Sequence, residues 1–438
     1  MKRFLFEYFP AWLLLVVFTF IVIHAPLTVY IGSLFPDLAT VVKGWKEVLI
    51  AIAGVLIGIK MTETRQWRTL RYDYLGWAII GFWAIHIGSL AWSTASPEAT
   101  LAGLLIDLRY TVFAACVYHF LILYPQYRQS FLRVGVVGAV IVLGFAVMQL
   151  FLPHDILRVI GYSESTIAPY LTVDKNPDFV RLSSTLRGPN PLGAYAIVVL
   201  SIVAAYVVRR QHMFSQKSKE VALWALAIAG GVALWVSYSR SALVAGVMAV
   251  ALVLIVKYGS SRRKQLVIGS AVLLVIACVG LFATRDSSFV QNVILHDNPT
   301  TGAATNSNSG HVVSIQDGIT RVIKEPLGAG VGSTGSASLL GDEPLIIENQ
   351  YLMIAHEVGI IGLVFFMTIY VTFLHRIWQQ RSDWVALGVW ASGIGLGVIG
   401  LLLPVWADDT VSLVWWGLAA LVLAKEEYRG PTTDKKAA

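Results

Sequence analysis

The chain has 438 residues, of which 56% are hydrophobic and 13% charged, and it carries 14 Trp and a formal net charge of +7. This composition leaves too little polar surface for a soluble globular protein and indicates a membrane protein with several spans. The apolar runs are continuous rather than alternating, so the sequence predicts an all-α integral membrane protein and not a barrel.

The apolar runs divide the chain into spans. About 20 apolar residues cross a hydrocarbon core roughly 30 Å thick, and a window of about 19 residues finds roughly twelve such runs. The first run is too long and too weakly terminated for a cleaved signal peptide, so we interpret it as a span. The predicted spans lie at about 11–34, 40–60, 72–93, 101–124, 131–152, 189–209, 220–237, 240–257, 265–283, 350–374, 384–403 and 408–424.

Basic residues indicate the orientation of these spans. They recur at both termini and in connections such as RRQHMFSQKSK and KYGSSRRKQ, and a twelve-span count places all of these on one side. Lys and Arg are enriched on the cytoplasmic side of membrane proteins, so both termini are predicted to be cytoplasmic. The charge of +7 is then mostly an orientation signal, and nucleic acid is not expected as a partner.

Two long polar segments, at about 153–188 and 284–349, fall on the opposite side and contain enough chain to build a site. The sequence contains no CxxC, HExxH, Walker-type or carboxylate-cluster motif, so it predicts neither a metal ion nor a cofactor. The predicted organisation has four parts: nine spans in 1–283 with the polar segment 153–188, a large loop at 284–349 before span ten, three spans in 350–424, and a tail at 425–438.

Arginines stand out on this outer side. Arg187 and Arg240 lie at the outer ends of spans six and eight, and Arg181 lies shortly upstream. The orientation rule disfavours Arg there, and although one could anchor the protein at the interface, several that converge indicate an anionic ligand. Guanidinium groups bind phosphate through a bidentate fork, so we predict a site for a diphosphate-linked lipid. Asp107 and Arg109 within span four are expected to contact neighbouring helices or each other.

The second polar segment contains a predicted helix. In TNSNSGHVVSIQDGITRVIKEPLGAGVGSTG, apolar residues recur at helical spacing and Pro326 closes the helix. His311 falls in its first turn, where it could meet a ligand facing the helix N-terminus. The glycine-rich run GAGVGSTG that follows is predicted to form a flexible turn.

Four motifs carry a resemblance to a known family. TLRGPNPLGAYA, SYSRSALVAG, SGHVVSIQDGITRVIKEPLGAGVGSTG and ENQYLMIAHEVGIIGLV occur in the order seen in the O-antigen ligase and O-antigen polymerase superfamily, over roughly residues 180–365. The resemblance implies a GT-C-like glycosyltransferase of the bacterial inner membrane, with its active site on the periplasmic face. It also implies transfer of lipid-linked glycans without a metal ion.

The resemblance implies an O-antigen ligase that works by direct displacement. Its donor would be an undecaprenyl-diphosphate-linked glycan, its acceptor a hydroxyl of lipid A-core, and membrane lipids would surround it. Arg187, Arg240 and Arg181 would hold the donor diphosphate. Three alternatives remain open: an O-antigen polymerase or a protein oligosaccharyltransferase of the same superfamily, or a transporter or flippase for lipid-linked glycans.

The acceptor hydroxyl needs a base as it attacks the anomeric carbon. Many family members have Arg at the position of His311 and His at the position of Glu348, so either residue of this chain is a candidate, and the two could form a pair. His356 ranks third. The side chains expected to contact sugar hydroxyls are Asn190, Asn349 and Tyr351, and the last two could instead cap and anchor the helix that follows.

Overall fold

The computed structural model describes residues 3–66, 73–209, 217–295 and 307–428, which are mostly helical. Within these residues, six helical stretches are long and apolar enough to cross a membrane: Phe4–Leu34, Pro97–Leu123, Pro125–Gln149, Pro189–Arg209, Arg240–Gly259 and Gln350–Gln379. Three shorter apolar helices accompany them, at Tyr74–Ser89, Glu220–Val236 and Trp384–Ile399. The architecture is that of an integral membrane protein, as the composition predicts.

The first stretch is interrupted near its middle. It comprises a π-helical turn at Phe4–Tyr8, α1 (Phe9–Phe20), a 3₁₀ turn at Ile21–Ile23 and α2 (His24–Leu34). Pro26 lacks an N–H and its ring crowds the carbonyl four residues earlier, which explains a break at this point. The helices that follow it are α3 (Ala39–Lys43), α4 (Trp45–Glu63), α5 (Tyr74–Ser89), α6 (Pro97–Leu123) and α7 (Arg128–Gln149).

A β-hairpin lies in the segment between α7 and the next helix. Strand β1 (Leu171–Val173) pairs antiparallel with β2 (Asn176–Arg181), and Asp174 and Lys175 at the turn both have positive φ. The hairpin is fixed to a later segment, because the side-chain Nδ2 of Asn176 donates to Oδ1 of Asn292 at 3.0 Å. No strand was predicted here.

Three helices follow the hairpin: α8 (Pro189–Arg209), α9 (Lys217–Val236) and α10 (Arg240–Ala283). The sequence predicts two spans, 240–257 and 265–283, and α10 comprises two helical stretches over the same part of the chain, joined by a kink at Arg262. Each stretch has roughly 20 residues and is about 30 Å long, which matches the thickness of a hydrocarbon core. Arg262, the one non-helical residue of α10, lies in the basic stretch that was predicted to connect the two spans.

The last part of the chain contains α11 (Ser307–Lys324), α12 (Gly335–Ser338), α13 (Gln350–Gln379), α14 (Trp384–Ile399) and α15 (Asp409–Tyr428). Helix α11 ends just before Pro326, as predicted. Helix α13 is kinked at Val358 and Gly359, and Gly359 has a φ of 72°, a conformation that glycine adopts without strain.

The glycine-rich segment before α12 packs against this kink. Ala329 N donates to His356 O at 2.7 Å, and Gly330 N donates to Glu357 O at 3.0 Å. The kink frees backbone carbonyls of α13 that the loop satisfies. A Cβ on Gly332 would lie 2.4 Å from the carbonyl oxygen of Ala99, so only glycine fits there. The prediction of a flexible turn was therefore wrong: the segment is wedged between helices.

Helix packing brings several helix starts together. Helix α14 packs against α8 and α10, and late in α14 Gly395 contacts Ala245 near the start of α10. At the same end, Gln350 N at the start of α13 donates to Gly400 O just after α14. Helices α8, α10 and α13 thus begin at one end of the bundle, which we call the site end.

Candidate active site

Arg181 joins two elements at the site end. It is the last residue of β2, and its Nε donates to Ser237 O at 2.9 Å, while its Nη2 donates to Oδ1 of Asn190 at 2.6 Å. Asn190 lies in the first turn of α8, and Ser237 follows the last residue of α9. The guanidinium therefore bridges the end of one helix and the start of another through two neutral acceptors.

The charge of Arg181 lies close to a second cation. Burial lowers the pKa of the Arg181 guanidinium to about 10, the nearby Asp174 raises it, and the charge of Arg240 lowers it. Arg181 stays charged at neutral pH, and it does so next to another positive group. Two adjacent guanidinium groups, with Asp174 as an acidic neighbour, are suited to binding a ligand that carries more than one negative charge.

Arg240 is the first residue of α10. Its Nη1 donates to Ile294 O at 3.2 Å, which ties the helix start to the segment before α11. A cation at a helix N-terminus opposes the helix dipole, at a cost of about 0.3–1 kcal/mol. An anion bound between Arg181 and Arg240 would remove that conflict, since it is attracted by both side chains and by the helix terminus.

Arg187 lies apart from these contacts. It is exposed, two residues before α8, and in the part of the chain that the structure describes it makes no hydrogen bond or ion pair. Its charge acts on Asp408, which precedes α15. The structure therefore joins Arg181 to Asn190 and brings Arg240 near, whereas Arg187 remains on the connection between β2 and α8.

His311 and Glu348 are brought together by the packing of α11 on α13. His311 Nδ1 lies 2.7 Å from Glu348 Oε2, and both side chains are partly exposed, at 27% and 36%. Ser314, one turn further along α11, supports the contact because its Oγ accepts from Glu348 N at 2.9 Å. A carboxylate on one imidazole nitrogen sets the tautomer and leaves the other nitrogen free to accept a proton.

A second His–Glu contact links the same two helices. His356 Nδ1, buried in α13, lies 3.9 Å from Oε2 of Glu325, which follows α11. Between the two contacts, Gly318 packs closely against Ile347. His356 was predicted to be more deeply buried than the other two candidate bases, and it is buried. Its carboxylate partner is Glu325, whereas the partner of His311 is Glu348.

Asn349 and Tyr351 serve the protein backbone. Asn349 caps α13, because its Oδ1 accepts from Tyr351 N and Leu352 N, and its Nδ2 donates to Leu401 O at 2.8 Å. The Tyr351 hydroxyl donates to Gly397 O at 2.7 Å. These bonds fasten the start of α13 to the end of α14. A sugar contact by either side chain therefore stays a prediction without direct support from the geometry.

Two clusters of buried charge were not predicted in detail. The carboxyl group of Asp107 interacts electrostatically with that of Glu357, which accepts from Gly332 N at 3.0 Å, and His86 Nε2 lies 4.0 Å from Asp107 Oδ2. This carboxyl pair holds the glycine-rich segment. Arg109 contacts Asp409 instead of Asp107. The expectation of contacts with neighbouring helices was right for both residues of α6.

The second cluster surrounds Arg109 and lies where α6 meets the start of α15. Asp409 accepts from His24 Nε2 at 2.9 Å and lies 3.4 Å from Lys46 Nζ. Glu47 Oε1 lies 3.1 Å from Lys46 Nζ and 3.8 Å from Arg109 Nη1. Every charge in this cluster meets an opposite charge. Across the described ranges, no group of three or more His, Cys, Asp or Glu side chains is placed to hold a metal ion.

The fold and site define a helical integral membrane protein with guanidinium groups and a His–Glu pair near one end of its bundle. A sequence model of the family described as O-antigen ligase matches residues 224–367, which include Arg240, His311 and Glu348. A protein of Salmonella muenchen named O-antigen polymerase is 22% identical over 321 residues, which cover 72% of this chain and 76% of that protein. Both matches support the O-antigen ligase and O-antigen polymerase superfamily, which the sequence motifs also resemble. This family implies a glycosyltransferase-like enzyme that acts on lipid-linked glycans in O-antigen biosynthesis.

Proposed function

We propose that this protein is an O-antigen ligase of the bacterial inner membrane, which transfers a glycan from an undecaprenyl-diphosphate-linked donor to a hydroxyl of lipid A-core on the periplasmic face. The observation that carries the proposal is the 2.7 Å distance between His311 Nδ1 and Glu348 Oε2, at the same end of the bundle as the helix starts near Arg181 and Arg240. Transfer to a hydroxyl needs a proton acceptor, and a diphosphate leaving group needs cations.

The His–Glu pair supplies the proton acceptor. In the proposed reaction the carboxylate of Glu348, whose Oε2 lies 2.7 Å from His311 Nδ1, favours the tautomer that carries its proton on Nδ1, and the Nε2 lone pair is then free. As the acceptor oxygen bonds to the anomeric carbon, its proton moves to Nε2 and the bond between that carbon and the diphosphate oxygen breaks. Glu348 then stabilises the imidazolium, so it orients the base instead of acting as the base itself.

Fixed guanidinium groups stabilise the leaving diphosphate. Arg181 and Arg240 are already held by hydrogen bonds to carbonyl and amide oxygens, so little reorganisation is needed as negative charge develops. Arg187 is exposed and adds a third positive charge from the neighbouring loop. The donor carries its activation in its phosphoester bond, and the scheme uses no metal ion or cofactor.

The topology proposed with this function has twelve spans in a GT-C-like arrangement, both termini in the cytoplasm, and residues 284–349 as a periplasmic loop. The site end is then the periplasmic end. Single cysteines at exposed Asp286 and Glu63 test this orientation. A membrane-impermeant thiol reagent applied to spheroplasts should label the cysteine at 286 and leave the one at 63 unlabelled.

An O-antigen polymerase is the second candidate, and the name of the Salmonella relative favours it. Both enzymes would use the same donor site and base, and they differ only in the acceptor. A transporter is less well supported, because Arg109 in α6, the cation that a path through the bilayer would use, is engaged by Asp409 and Glu47.

Transfer by the purified protein tests the proposal. The protein in detergent receives an undecaprenyl-diphosphate-linked glycan as donor, with lipid A-core as acceptor and a chelator present. Glycan attached to lipid A-core supports the ligase, and lengthened lipid-linked glycan indicates the polymerase. Absence of both products, from protein that elutes as a single folded species, would contradict the enzyme proposal and favour transport.

A further inference from the structure

An apolar cavity of about 500 Å³ opens beside the kink of α13. This volume is within the range of ligand pockets, about 300–1,000 Å³. The lining is almost wholly apolar, with Glu325 as its charged member. The apolar side chains that line it are Ile85, Trp92, Pro326, Leu327, Val358 and Ile361.

The cavity is continuous with a surface suited to lipid. Leu327 is 68% exposed and Ile361 is 52% exposed, and Ile323 in the last turn of α11 is 73% exposed. Large apolar side chains are exposed in this way where hydrocarbon covers them. Trp92, at the cavity wall beyond the end of α5, is of the residue type enriched at membrane interfaces. The cavity is thus reached from the bilayer.

The cavity lies on a different flank of the bundle from the guanidinium groups. It is formed where α5 packs on α13, whereas α14 packs against α13 and also against α8 and α10, which begin near Asn190 and Arg240. A donor held by its diphosphate at Arg240 would occupy the α8 and α10 flank. The His311–Glu348 pair is at the junction of α11 and α13, between the two flanks.

We propose that this cavity binds a fatty acyl chain of the glycolipid acceptor. The inference rests on the proposed function, because only a transfer between two membrane lipids needs a second apolar path to the base. The acid Glu325 in the lining disfavours a diphosphate at this position. The acceptor's chain rests beside the kink of α13 while its sugar reaches His311.

Two neighbouring residues of α13 give a matched test. Ile361 lines the cavity and Ile360 does not, and both are about half exposed, so a larger side chain is tolerated at either position. Ile361→Trp fills the cavity and removes room for several methylene groups, so the KM for lipid A-core should rise about tenfold. The KM for the donor should not change. Ile360→Trp should leave both constants as in the wild type.

Free core oligosaccharide, which is the acceptor without its fatty acyl chains, tests whether a change in the acceptor KM depends on those chains. Ile361→Trp and the wild type should transfer glycan to free core oligosaccharide at equal rates. A rise in the donor KM would assign the cavity to the polyprenyl chain and overturn the proposal. Unchanged constants in Ile361→Trp, or the same change in Ile360→Trp, would overturn it as well.

Photo-crosslinking keeps the inference distinct from the proposed function. A benzophenone amino acid at position 361 is irradiated in the full-length protein in nanodiscs, without donor, in the presence of labelled lipid A-core or labelled undecaprenyl diphosphate. Capture of lipid A-core that excess unlabelled lipid A-core prevents supports the proposal, whether or not transfer occurs. Capture of undecaprenyl diphosphate, or of bulk phospholipid alone, overturns it. Failure of the wild type to modify lipid A-core counts separately, against the ligase.

Discussion

Arg109 is buried and Arg181 is half-buried, and the protein satisfies the two guanidinium groups in different ways. Each donates to a backbone carbonyl, Ala407 O for Arg109 and Ser237 O for Arg181. Arg109 in addition contacts the carboxylate of Asp409, whereas Arg181 donates to the neutral amide of Asn190. The carboxylate of Asp409 balances the positive charge of Arg109, whereas the neutral acceptors of Arg181 leave most of its positive charge unbalanced.

This difference indicates what each arginine does. A buried cation that meets a carboxylate holds helices together, and Arg109 connects α6 with the start of α15. A cation held by neutral oxygens is rigid and still attracts anions. Arg240 extends the comparison, because its cation at the N-terminus of α10 opposes the helix dipole, and a bound anion would be attracted by both the side chain and the helix terminus. The predictions below separate stabilising residues from those that act on substrate.

The largest effect is expected at Arg109. Arg109→Ala leaves Asp409 in a buried cluster without its strongest partner, which should destabilise the protein by about 3–5 kcal/mol. The thermal midpoint in detergent, read from intrinsic Trp fluorescence, measures this loss. Arg109→Met combined with Asp409→Leu removes both charges and should recover part of the stability. A stable Arg109→Ala protein without transfer activity would contradict the structural role and place Arg109 with the substrate.

Arg240→Ala should have the opposite pattern. Loss of one fixed donor to the leaving diphosphate should lower kcat/KM for the donor by about 10²–10³-fold, while the thermal midpoint changes little. Arg240→Lys should recover only part of the activity, since an ammonium lacks the bidentate fork. Arg285→Ala, at an exposed arginine in the loop 284–349 that Arg240 also contacts through Ile294 O, is the control. Equal losses of kcat/KM in the two variants would show that the effect comes from surface charge and not from a specific contact with the diphosphate.

Sequence patterns predicted the parts of this arrangement that depend on neighbouring residues. Hydropathy predicted the apolar helices, because a segment within the bilayer must satisfy its own backbone hydrogen bonds and expose apolar side chains to lipid. Motif order selected Arg187, Arg240, His311 and Glu348, and Arg181 was selected by its position on the outer side. The cap at Asn349 was one of two alternatives that the sequence left open, since Asn before an apolar helical run is favoured at the N-cap.

Contacts between distant parts of the chain were not predictable in this way. Asp107 and Glu357 are 250 positions apart, and only the packing of α5, α6 and α13 around the glycine-rich segment brings them together. The same holds for Arg109 and Asp409. The positive φ of Gly359 depends on the kink of α13, which the loop stabilises, so neither feature is readable from its own residues.

The His–Glu pair should give a smaller loss than Arg240. His311→Gln removes the proton acceptor, and because the pair is partly exposed, water can replace it in part, so kcat should fall about 100-fold. Glu348→Gln should cost about tenfold, since it only orients the ring. Steady-state rates of both single variants and the double variant measure the coupling. A double variant no slower than His311→Gln would support one acting pair, whereas independent losses that multiply would assign separate roles.

The smallest effect is expected at Asn349, where the comparison is between a cap and a substrate contact. Asn349→Ala removes the acceptor of two N–H groups in the first turn of α13, which should cost about 1 kcal/mol of stability. Asn349→Asp keeps the accepting oxygen and should preserve most of this, although it loses the bond to Leu401 O. Because both polar groups of Asn349 face backbone, kcat and the KM for each substrate should remain within about twofold in both variants. An acceptor KM that rises in both variants without a change in thermal midpoint would show that Asn349 binds sugar, and the site would then extend past Glu348 onto α13.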